Sequence, residues 1–199
     1  MMRPRLAAAI LLAALATLVS FWLDPVVFRE IAWPDLDRRD WGRMLRVTGS
    51  LFFWLPLTLA LWLETRRRDP KRARSRWMIL AGATLAGTVA EILKLLIRRE
   101  RPLLHDGEYV YRPFSDRLLD SHDLGFPSSH VMVAFGGAAA LARQFPRAGI
   151  IGYLLAGGCA LTRLLAQAHF LSDVVAAALA GWAVSTWLGR RIPPPASIA

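Results

Sequence analysis

The sequence predicts an all-α fold, a polytopic membrane protein whose six transmembrane helices form one bundle. Three observations predict this class. Hydrophobic residues make up 55% of the 199 residues and the mean hydropathy is +0.35, which is too apolar for an ordinary soluble domain. The apolar residues are gathered into runs long enough to cross a bilayer, and the basic residues are gathered into alternate loops.

Six predicted spans follow from the hydropathy along the chain. They cover residues 6–23, 47–63, 77–97, 130–142, 148–165 and 170–188. The fourth is short, because roughly 13 residues rise only about 20 Å in a helix. We therefore expect it to continue through Arg143 to Phe145 or to begin below the membrane surface. Ala and Gly are frequent in the last three spans, which favours close helix packing.

The first span starts with basic residues, as a cleaved signal peptide does. Its apolar stretch is longer than a usual signal core, however, and no pair of small residues marks a cleavage site before residues 21–23. A retained membrane helix is therefore predicted. No repeat or separate soluble part is evident, so residues 1–199 are expected to form a single membrane-embedded domain.

The formal net charge of +10 is placed as in a membrane protein. Seven basic residues lie in one loop, between Arg66 and Arg76, and further basic pairs lie before the first span, between the fourth and fifth spans and after the sixth. With six spans all four clusters fall on one side, which the positive-inside rule assigns to the cytoplasm together with both termini. No soluble face interleaves basic and aromatic residues, so nucleic acid is not an expected partner.

Two stretches on the opposite side are long. The first, residues 24–46, carries Trp33 and Trp41 among charges, and either lies along the membrane interface, where indole rings are favoured, or is a plain connecting loop. The second, residues 98–129, has candidate site residues at both ends. Long loops in compact proteins are usually functional or disordered, so we expect this one to form a lid or wall that contacts the substrate.

The first candidate site segment closes the third span. Lys94 and Arg101 are two helical turns apart and would share one face if the helix continued to Pro102, which would end it. Lys94 lies inside the apolar run, where a charge is costly and usually functional, and Glu91 is placed to pair with it one turn away.

The next two residues after this span read differently. Arg98 and Arg99 lie at the end of a span, where basic residues usually extend their side chains to the membrane surface. Both are therefore predicted to be solvated.

The second segment is Pro127-Ser128-Ser129-His130, at the start of the fourth span. A Ser-Ser turn at a helix start presents backbone N–H groups and the positive end of the helix dipole, which together bind anions. In isolation it would be an ordinary helix cap. Its position between two other charged segments favours an anion site.

The third segment runs from Thr162-Arg163, at the end of the fifth span, to His169 and Asp173 at the start of the sixth. His169 and Asp173 are four residues apart and share one helical face. Asp173 is thus placed to hold one imidazole nitrogen while the other attacks phosphorus. Cations, a nucleophile with its orienting acid and a second histidine are what phosphoryl transfer requires.

Together the segments resemble the signature motifs of the type 2 phosphatidic acid phosphatases (PAP2), a lipid phosphate phosphatase family with the pattern K-x6-RP, PSGH and SR-x5-H-x3-D. Ser129 replaces the Gly and Thr162 the Ser. The resemblance implies an all-helical bundle with no cofactor and no metal. It further implies His169 as nucleophile, His130 as general acid and Asp173 as the orienting acid, with phosphate bound by Lys94, Arg101, Ser128, Ser129 and Arg163.

The expected activity is hydrolysis of a phosphomonoester or diphosphate of an outer-leaflet lipid through a phosphohistidine, by an enzyme of a bacterial inner membrane with its site on the extracytoplasmic side. A phosphotransferase of the same family and a catalytically inactive lipid-binding protein are the alternatives. Vanadium haloperoxidases share the motif residues, but they are soluble and larger. The motifs do not choose among phosphatidic acid, phosphatidylglycerol phosphate, undecaprenyl diphosphate and lipid A phosphates, and no protein partner is predicted.

The loop between the first two segments also carries side chains of the types that bind metals. His105 and His122 lie there beside Asp106 and Asp123, but their spacing matches no common ligand pattern. No metal is predicted, because the cationic side chains already supply the positive charge that a metal would bring to the phosphate.

Overall fold

A computed structural model of the protein describes residues 4–33 and 35–192. Within those ranges the regular structure is helical, with two isolated β-bridges, Arg99 to Tyr111 and Glu100 to Leu124. The α-helices are α1 (Pro4–Glu30), α2 (Asp40–Val47), α3 (Leu51–Arg66), α4 (Pro70–Ile97), α5 (Ser129–Gln144), α6 (Pro146–Leu165) and α7 (Leu171–Arg191), and two short 3-10 helices cover Leu36–Arg38 and Pro102–Leu104.

Four of these helices are long and apolar enough to cross a membrane, namely α1 from Ala7, α4, α6 and α7. The pair α2 and α3 is bent by 64° at a short break and supplies a fifth candidate if the two are one span. The described chain is therefore an all-helical membrane protein with four to five candidate spans. The fourth predicted span corresponds to α5, whose 16 residues rise only about 24 Å against the roughly 30 Å of a hydrocarbon core.

The stretch between the first two predicted spans is largely helical. The first helix continues to Glu30 and passes through Pro25, so it ends seven residues beyond the predicted limit at residue 23. Trp33 and Trp41 form an edge-to-face pair with ring centroids 5.5 Å apart, and the Trp33 N–H donates to the carbonyl of Leu165 at 2.8 Å. The stretch is therefore packed over the end of α6.

The central helix of the bundle is α5, which packs against α4, α6 and α7. Small residues permit this close approach. A Cβ atom on Gly136 would lie 2.7 Å from the Cβ of Ala86 and 2.8 Å from the carbonyl oxygen of Gly82, and one on Gly181 would lie 2.5 Å from the carbonyl oxygen of Met132. The N-terminal half of α5 is thereby held close to α4 and α7.

The peripheral helix α1 packs mainly against α7 and leaves most of its apolar surface exposed. Leu11, Leu15, Leu18 and Trp22 are all more than half exposed. Such a face is stable in contact with lipid rather than with water.

The helix α4 does not continue to Pro102, and its end matches the limit predicted for the third span. The helix ends at Ile97, and Arg98 adopts a left-handed conformation with φ 59°, from which its N–H donates to the carbonyl of Lys94. Arg101 is extended and precedes the short 3-10 helix. Lys94 and Arg101 therefore do not share a helical face, although both remain at the same end of the bundle.

At this end of the bundle the last turns of α1, α4 and α6 meet the first turns of α5 and α7, beneath the loop of residues 98–128. Backbone hydrogen bonds join the parts: the N–H of Ser128 donates to the carbonyl of Asp173 at 3.3 Å and that of Gly125 to the carbonyl of Arg99 at 2.7 Å. The three candidate segments, which lie within residues 94–173, are thereby assembled in one place.

Candidate active site

Lys94, on the last turns of α4, is 6% exposed. Its ammonium group lies 3.3 Å from the carboxylate of Glu91, so the expected pairing one turn away is confirmed. The same carboxylate accepts hydrogen bonds from the hydroxyls of Ser129, at 2.5 Å, and Ser121, at 2.6 Å. Glu91 thus joins α4, the loop and the first turn of α5 around the lysine.

The turn that opens α5 differs from an ordinary helix cap. Ser128 occupies the cap position, but its side chain makes no capping hydrogen bond. Its backbone N–H is used by the carbonyl of Asp173, whereas its buried hydroxyl has no hydrogen-bond partner among the described residues. The hydroxyl of Ser128 is therefore better placed than its N–H to contact a ligand, and the hydroxyl of Ser129 is already held by Glu91.

His130 lies in the first turn of α5, partly buried beneath the turn that joins α2 and α3. A Cβ atom on Gly49 of that turn would lie 2.6 Å from the carbonyl oxygen of His130 and 2.7 Å from its Cβ. Only glycine allows this approach. The second histidine is thus fixed from outside the motif that contains it.

His169 precedes α7 and is almost completely buried. Its Nδ1 lies 2.9 Å from the carbonyl oxygen of Gly125 and 3.6 Å from the nearest carboxylate oxygen of Asp173. The expectation that Asp173 holds this nitrogen directly is therefore wrong, since 3.6 Å is beyond a hydrogen bond. A carbonyl oxygen can only accept, so Nδ1 carries the proton and Nε2 keeps its lone pair.

Burial keeps this imidazole neutral. Desolvation lowers the pKa of His169 to about 4, and the neighbouring guanidinium groups of Arg163 and Arg101 act in the same direction while Asp173 opposes them. A neutral imidazole with a free Nε2 is the form that acts as a nucleophile.

Two guanidinium groups approach His169 from different elements. Arg163 is 5% exposed in the last turn of α6, and Arg101 belongs to the loop after α4. The Nε of Arg101 is buried and has no hydrogen-bond partner among the residues that the structure describes. Both guanidinium groups act electrostatically on His169, and Lys94 acts on the neighbouring Arg101 and Asp173. The three cations form an environment suited to an anion with several oxygens.

Arg99 was predicted to be solvated, and this prediction is wrong. Its side chain is 1% exposed and its Nη2 donates to the carboxylate of Asp173 and, at 2.8 Å, to the hydroxyl of Ser172. Four aromatic rings surround the guanidinium at 4.9 to 5.2 Å, namely those of Phe21, Tyr109, Phe126 and Phe170. Asp173 is therefore fixed by Arg99 on one carboxylate oxygen, and its other carboxylate oxygen accepts from the backbone N–H of Phe170 at 2.8 Å.

The model of the PAP2 superfamily matches residues 75–193, which include all eight predicted site residues. The chain belongs to the PAP2 superfamily. This confirms the resemblance inferred from the three motifs, and it leaves α1, α2 and α3 outside the matched region.

Two curated relatives of this PAP2 protein are lipid A 1-phosphatases of Rhizobium species. The protein from Rhizobium etli is 32% identical over 126 residues, which are 60% of this chain and 53% of the relative. The protein from Rhizobium johnstonii is 32% identical over 130 residues, 63% of this chain and 50% of the relative. The matches thus cover about half the length of these relatives, and no solved structure is significantly similar to the chain.

Arg98, also predicted to be solvated, is 1% exposed and holds the loop over the PAP2 motifs. Its guanidinium donates to the carbonyls of Arg112, Pro113, Asp116 and Leu118. Nothing in the local sequence separates this arginine from one that reaches to the surface. Its acceptors are backbone carbonyl groups 14 to 20 residues away, and a pattern of side chains in the sequence does not predict such contacts.

A second cluster in the loop is built on Glu100. Its carboxylate accepts from Arg112 at 2.8 Å and lies 2.5 Å from Nε2 of His105. Burial opposes the charge, but these two partners outweigh it and hold the pKa of Glu100 below its usual range. Arg112 also donates to the carbonyls of Asp120 and His122, so the loop forms an ordered wall.

The two loop histidines lie in separate contacts. His105 pairs with Glu100, and Nδ1 of the exposed His122 lies 2.9 Å from the carboxylate of Asp123. Within residues 4–33 and 35–192, no three His, Cys, Asp and Glu side chains are grouped closely enough to hold a metal ion.

Proposed function

We propose that this PAP2 protein is a membrane lipid phosphate phosphatase that works through a phosphohistidine on His169. The observation that carries the proposal is the state of the imidazole: Gly125 fixes the proton on Nδ1, burial keeps the ring neutral, and Arg163 and Arg101 act on it, with Lys94 close to Arg101. A nucleophile among cations matches what transfer of a phosphoryl group requires.

In the first step, Lys94, Arg101 and Arg163 bind the phosphate oxygens with the turn at Ser128 and Ser129. Nε2 of His169 attacks phosphorus and the bond to the leaving oxygen breaks. That oxygen takes the bonding electrons and a proton from His130, which acts as general acid. The phosphoimidazole is cationic, and the Gly125 carbonyl and the Asp173 carboxylate stabilise it.

In the second step, the neutral His130 accepts a proton from water as the water oxygen attacks phosphorus. The bond from phosphorus to Nε2 breaks, its electrons return to His169, and inorganic phosphate leaves. Both histidines then regain their starting protonation states, so the cycle balances without a cofactor. The positive charge needed for the transferring group comes from side chains, so the proposal requires no metal ion.

The substrate class follows from the relatives. Because two relatives, of which this chain matches about half the length, are named lipid A 1-phosphatases, we propose a lipid that carries its phosphate on a sugar headgroup. Phosphatidic acid, phosphatidylglycerol phosphate and undecaprenyl diphosphate are the competing substrates in the assay below.

The proposed topology has six spans, with the short α5 as the fourth, both termini in the cytoplasm and the site on the outer side of a bacterial inner membrane. It is supported by the position of the charges, since Arg76 donates to Gln144 at the end of α5, and Arg143 packs on Gly189 of α7. These contacts gather the basic loop at the end of the bundle away from the motifs. Reporter fusions at Asp69 and Glu108 test it, and an external signal at Asp69 would contradict it.

The test of function is phosphate release from a panel of the four lipid phosphates by purified protein in detergent, with His169→Ala as the matched control. We expect release that depends on His169 and is unaffected by a chelator. A transferase would instead need an acceptor lipid for turnover. No release from any lipid, with or without acceptor, would leave the protein an inactive lipid binder and overturn the proposal.

A further inference from the structure

A carboxylate inside the first membrane helix reaches the proposed active site. Asp24 is 0% exposed, although the apolar window of α1 is only 11% buried. A charge in a membrane span is costly and is kept where it has partners and a role. Asp24 lies outside residues 75–193 that match the PAP2 superfamily, so the family motifs assign it nothing.

All the hydrogen bonds of Asp24 lead towards the site. Its carboxylate accepts from the backbone N–H of Ser172 at 2.8 Å, from the hydroxyl of Ser172, and from the phenol of Tyr109 at 2.7 Å. The bond to the N–H anchors the first turn of α7, where the residue after Ser172 is Asp173. The helix that faces lipid is thereby tied to the helix that carries the catalytic carboxylate.

The contact with Ser172 continues to the nucleophile. The hydroxyl of Ser172 donates to Asp24, so its lone pairs are free to accept from Nη2 of Arg99 at 2.8 Å. The same Nη2 donates to Asp173, whose other carboxylate oxygen faces His169 at 3.6 Å. A chain of hydrogen bonds therefore runs from α1 to Asp173, and the charge of Asp173 acts on the imidazole from the oxygen that also accepts from the backbone N–H of Phe170.

No other hydrogen bond to a described residue orients the guanidinium group of Arg99. Its Nε and Nη1 have no hydrogen-bond partner among the described residues, because aromatic rings surround them. Rings attract a cation but do not fix its direction as a hydrogen bond does. The direction of Nη2 is thus set by Ser172 and Asp173 alone, and the orientation of Ser172 is set by Asp24.

We propose that Asp24 is a positioning residue for the His169–Asp173 pair, supplied by a helix outside the matched PAP2 region. This inference rests on the proposed function, because it assigns to Asp24 the alignment of the nucleophile His169. Asn in place of Asp24 keeps the size but offers an N–H₂ to Ser172, which reverses the direction of the hydrogen bond. The hydroxyl then turns its proton towards Arg99 and the alignment is lost.

Two inhibitors separate alignment from folding. Orthovanadate accepts a fifth ligand and mimics the transition state only if the nucleophile is aligned, whereas inorganic phosphate is bound by the cations alone. In Asp24→Asn we expect the inhibition constant for vanadate to rise about tenfold, the effect of losing one hydrogen bond to a charged group, while that for phosphate stays within about twofold. A smaller folded fraction changes neither constant.

Two further variants keep the test decisive if Asp24→Asn folds poorly. Ser172→Ala removes the link between Asp24 and Arg99 and should weaken vanadate in the same selective way. Tyr109→Phe removes one hydrogen bond from Asp24 but keeps the ring beside Arg99, so it should change both constants by less than about twofold.

Unchanged vanadate inhibition in both Asp24→Asn and Ser172→Ala would overturn the inference, as would an equal loss for both inhibitors. A wild-type protein that releases no phosphate from any lipid would instead overturn the proposed function, and this inference with it. An active wild type with unaltered variants would overturn the role of Asp24 alone.

Discussion

Nδ1 of His169 donates a hydrogen bond to the carbonyl oxygen of Gly125 at 2.9 Å, while the carboxylate of Asp173 lies 3.6 Å away. The tautomer of the proposed nucleophile is thus fixed by a backbone group of the loop before α5. Asp173 acts at longer range, through its charge and through its pairing with Arg99. Gly125 thus orients the imidazole ring, and Asp173 stabilises the positive charge that develops on the ring when it is phosphorylated.

Activity should persist well below neutral pH. The pKa of His169 is lowered to about 4 from an ordinary 6.5 because the ring is buried. Since the nucleophile must be neutral, its acid limb in kcat/KM should lie near pH 4, after correction for ionisation of the substrate. An acid limb at the ordinary value would contradict the burial that the structure describes.

The same shift predicts how stability depends on pH. At pH values between the folded pKa of His169, about 4, and its ordinary pKa of 6.5, the imidazole is protonated in the unfolded chain but neutral in the folded chain. His169 therefore lowers the free energy of unfolding as pH falls through that window. His169→Ala should flatten this dependence when thermal unfolding in detergent is followed between pH 7 and pH 4.

Gly49→Ala should disable the general acid. The added methyl would lie 2.6 Å from the carbonyl oxygen of His130 and 2.7 Å from its Cβ, so the first turn of α5 must move. We expect a lower thermal unfolding temperature and a kcat reduced at least about tenfold, since general acid catalysis contributes about 10²- to 10⁴-fold. Gly157→Ala, where a Cβ meets nothing within 4 Å, is the matched control, and equal effects at the two positions would contradict the assignment.

Glu91→Gln should strengthen binding of inorganic phosphate. The carboxylate lies 3.3 Å from Lys94 and places a negative charge beside the proposed anion site. Removing it should lower the inhibition constant for phosphate about fivefold, allowing for the partial exposure of Glu91. Ser121→Ala, which keeps the charge, is the control. Weaker phosphate binding in Glu91→Gln would show that the carboxylate chiefly positions Lys94.

The penalty of His130→Ala should depend on the leaving group. A nitrophenolate departs without a proton, whereas a lipid alkoxide needs one, so a nitrophenyl phosphate should be spared relative to a lipid monoester by much of the ~10²- to 10⁴-fold contribution of the acid. His169→Ala should be inactive on both, which makes it the control. Equal losses for His130→Ala on the two substrates would exclude this histidine as the acid.

Hydropathy located the helices well but not their ends. Apolar runs indicate burial in lipid or protein, and they predict the limits of α5, α6 and α7 within three residues, whereas α4 begins seven residues before the predicted limit at residue 77. The apolar run ends at Ile97, as α4 does, but it does not predict the left-handed conformation with which Arg98 ends the helix, because arginine is also compatible with a helix. One local signal was available: a residue before proline avoids the helical region, which argues that Arg101 is extended.

The motif residues were predictable because their chemistry is concentrated in short segments, whereas their supports were not. Arg99 is fixed by Ser172 and Asp173, more than 70 residues away, and Gly125 contributes a carbonyl that any residue possesses. Asp24 looked like the edge of a loop because the chain continues there through Pro25. Such contacts depend on tertiary packing, which local sequence does not encode.

The most direct test of the account is to trap the phosphorylated enzyme. Purified protein mixed with a lipid phosphate and quenched in base within one turnover should carry an acid-labile phosphoryl group, which peptide mass spectrometry should locate on His169. The label should accumulate in His130→Ala with a nitrophenyl phosphate, because hydrolysis of the intermediate then lacks its base. A phosphoryl group that persists in His169→Ala, or turnover in wild type with no phosphoprotein at any time, would contradict the central claim.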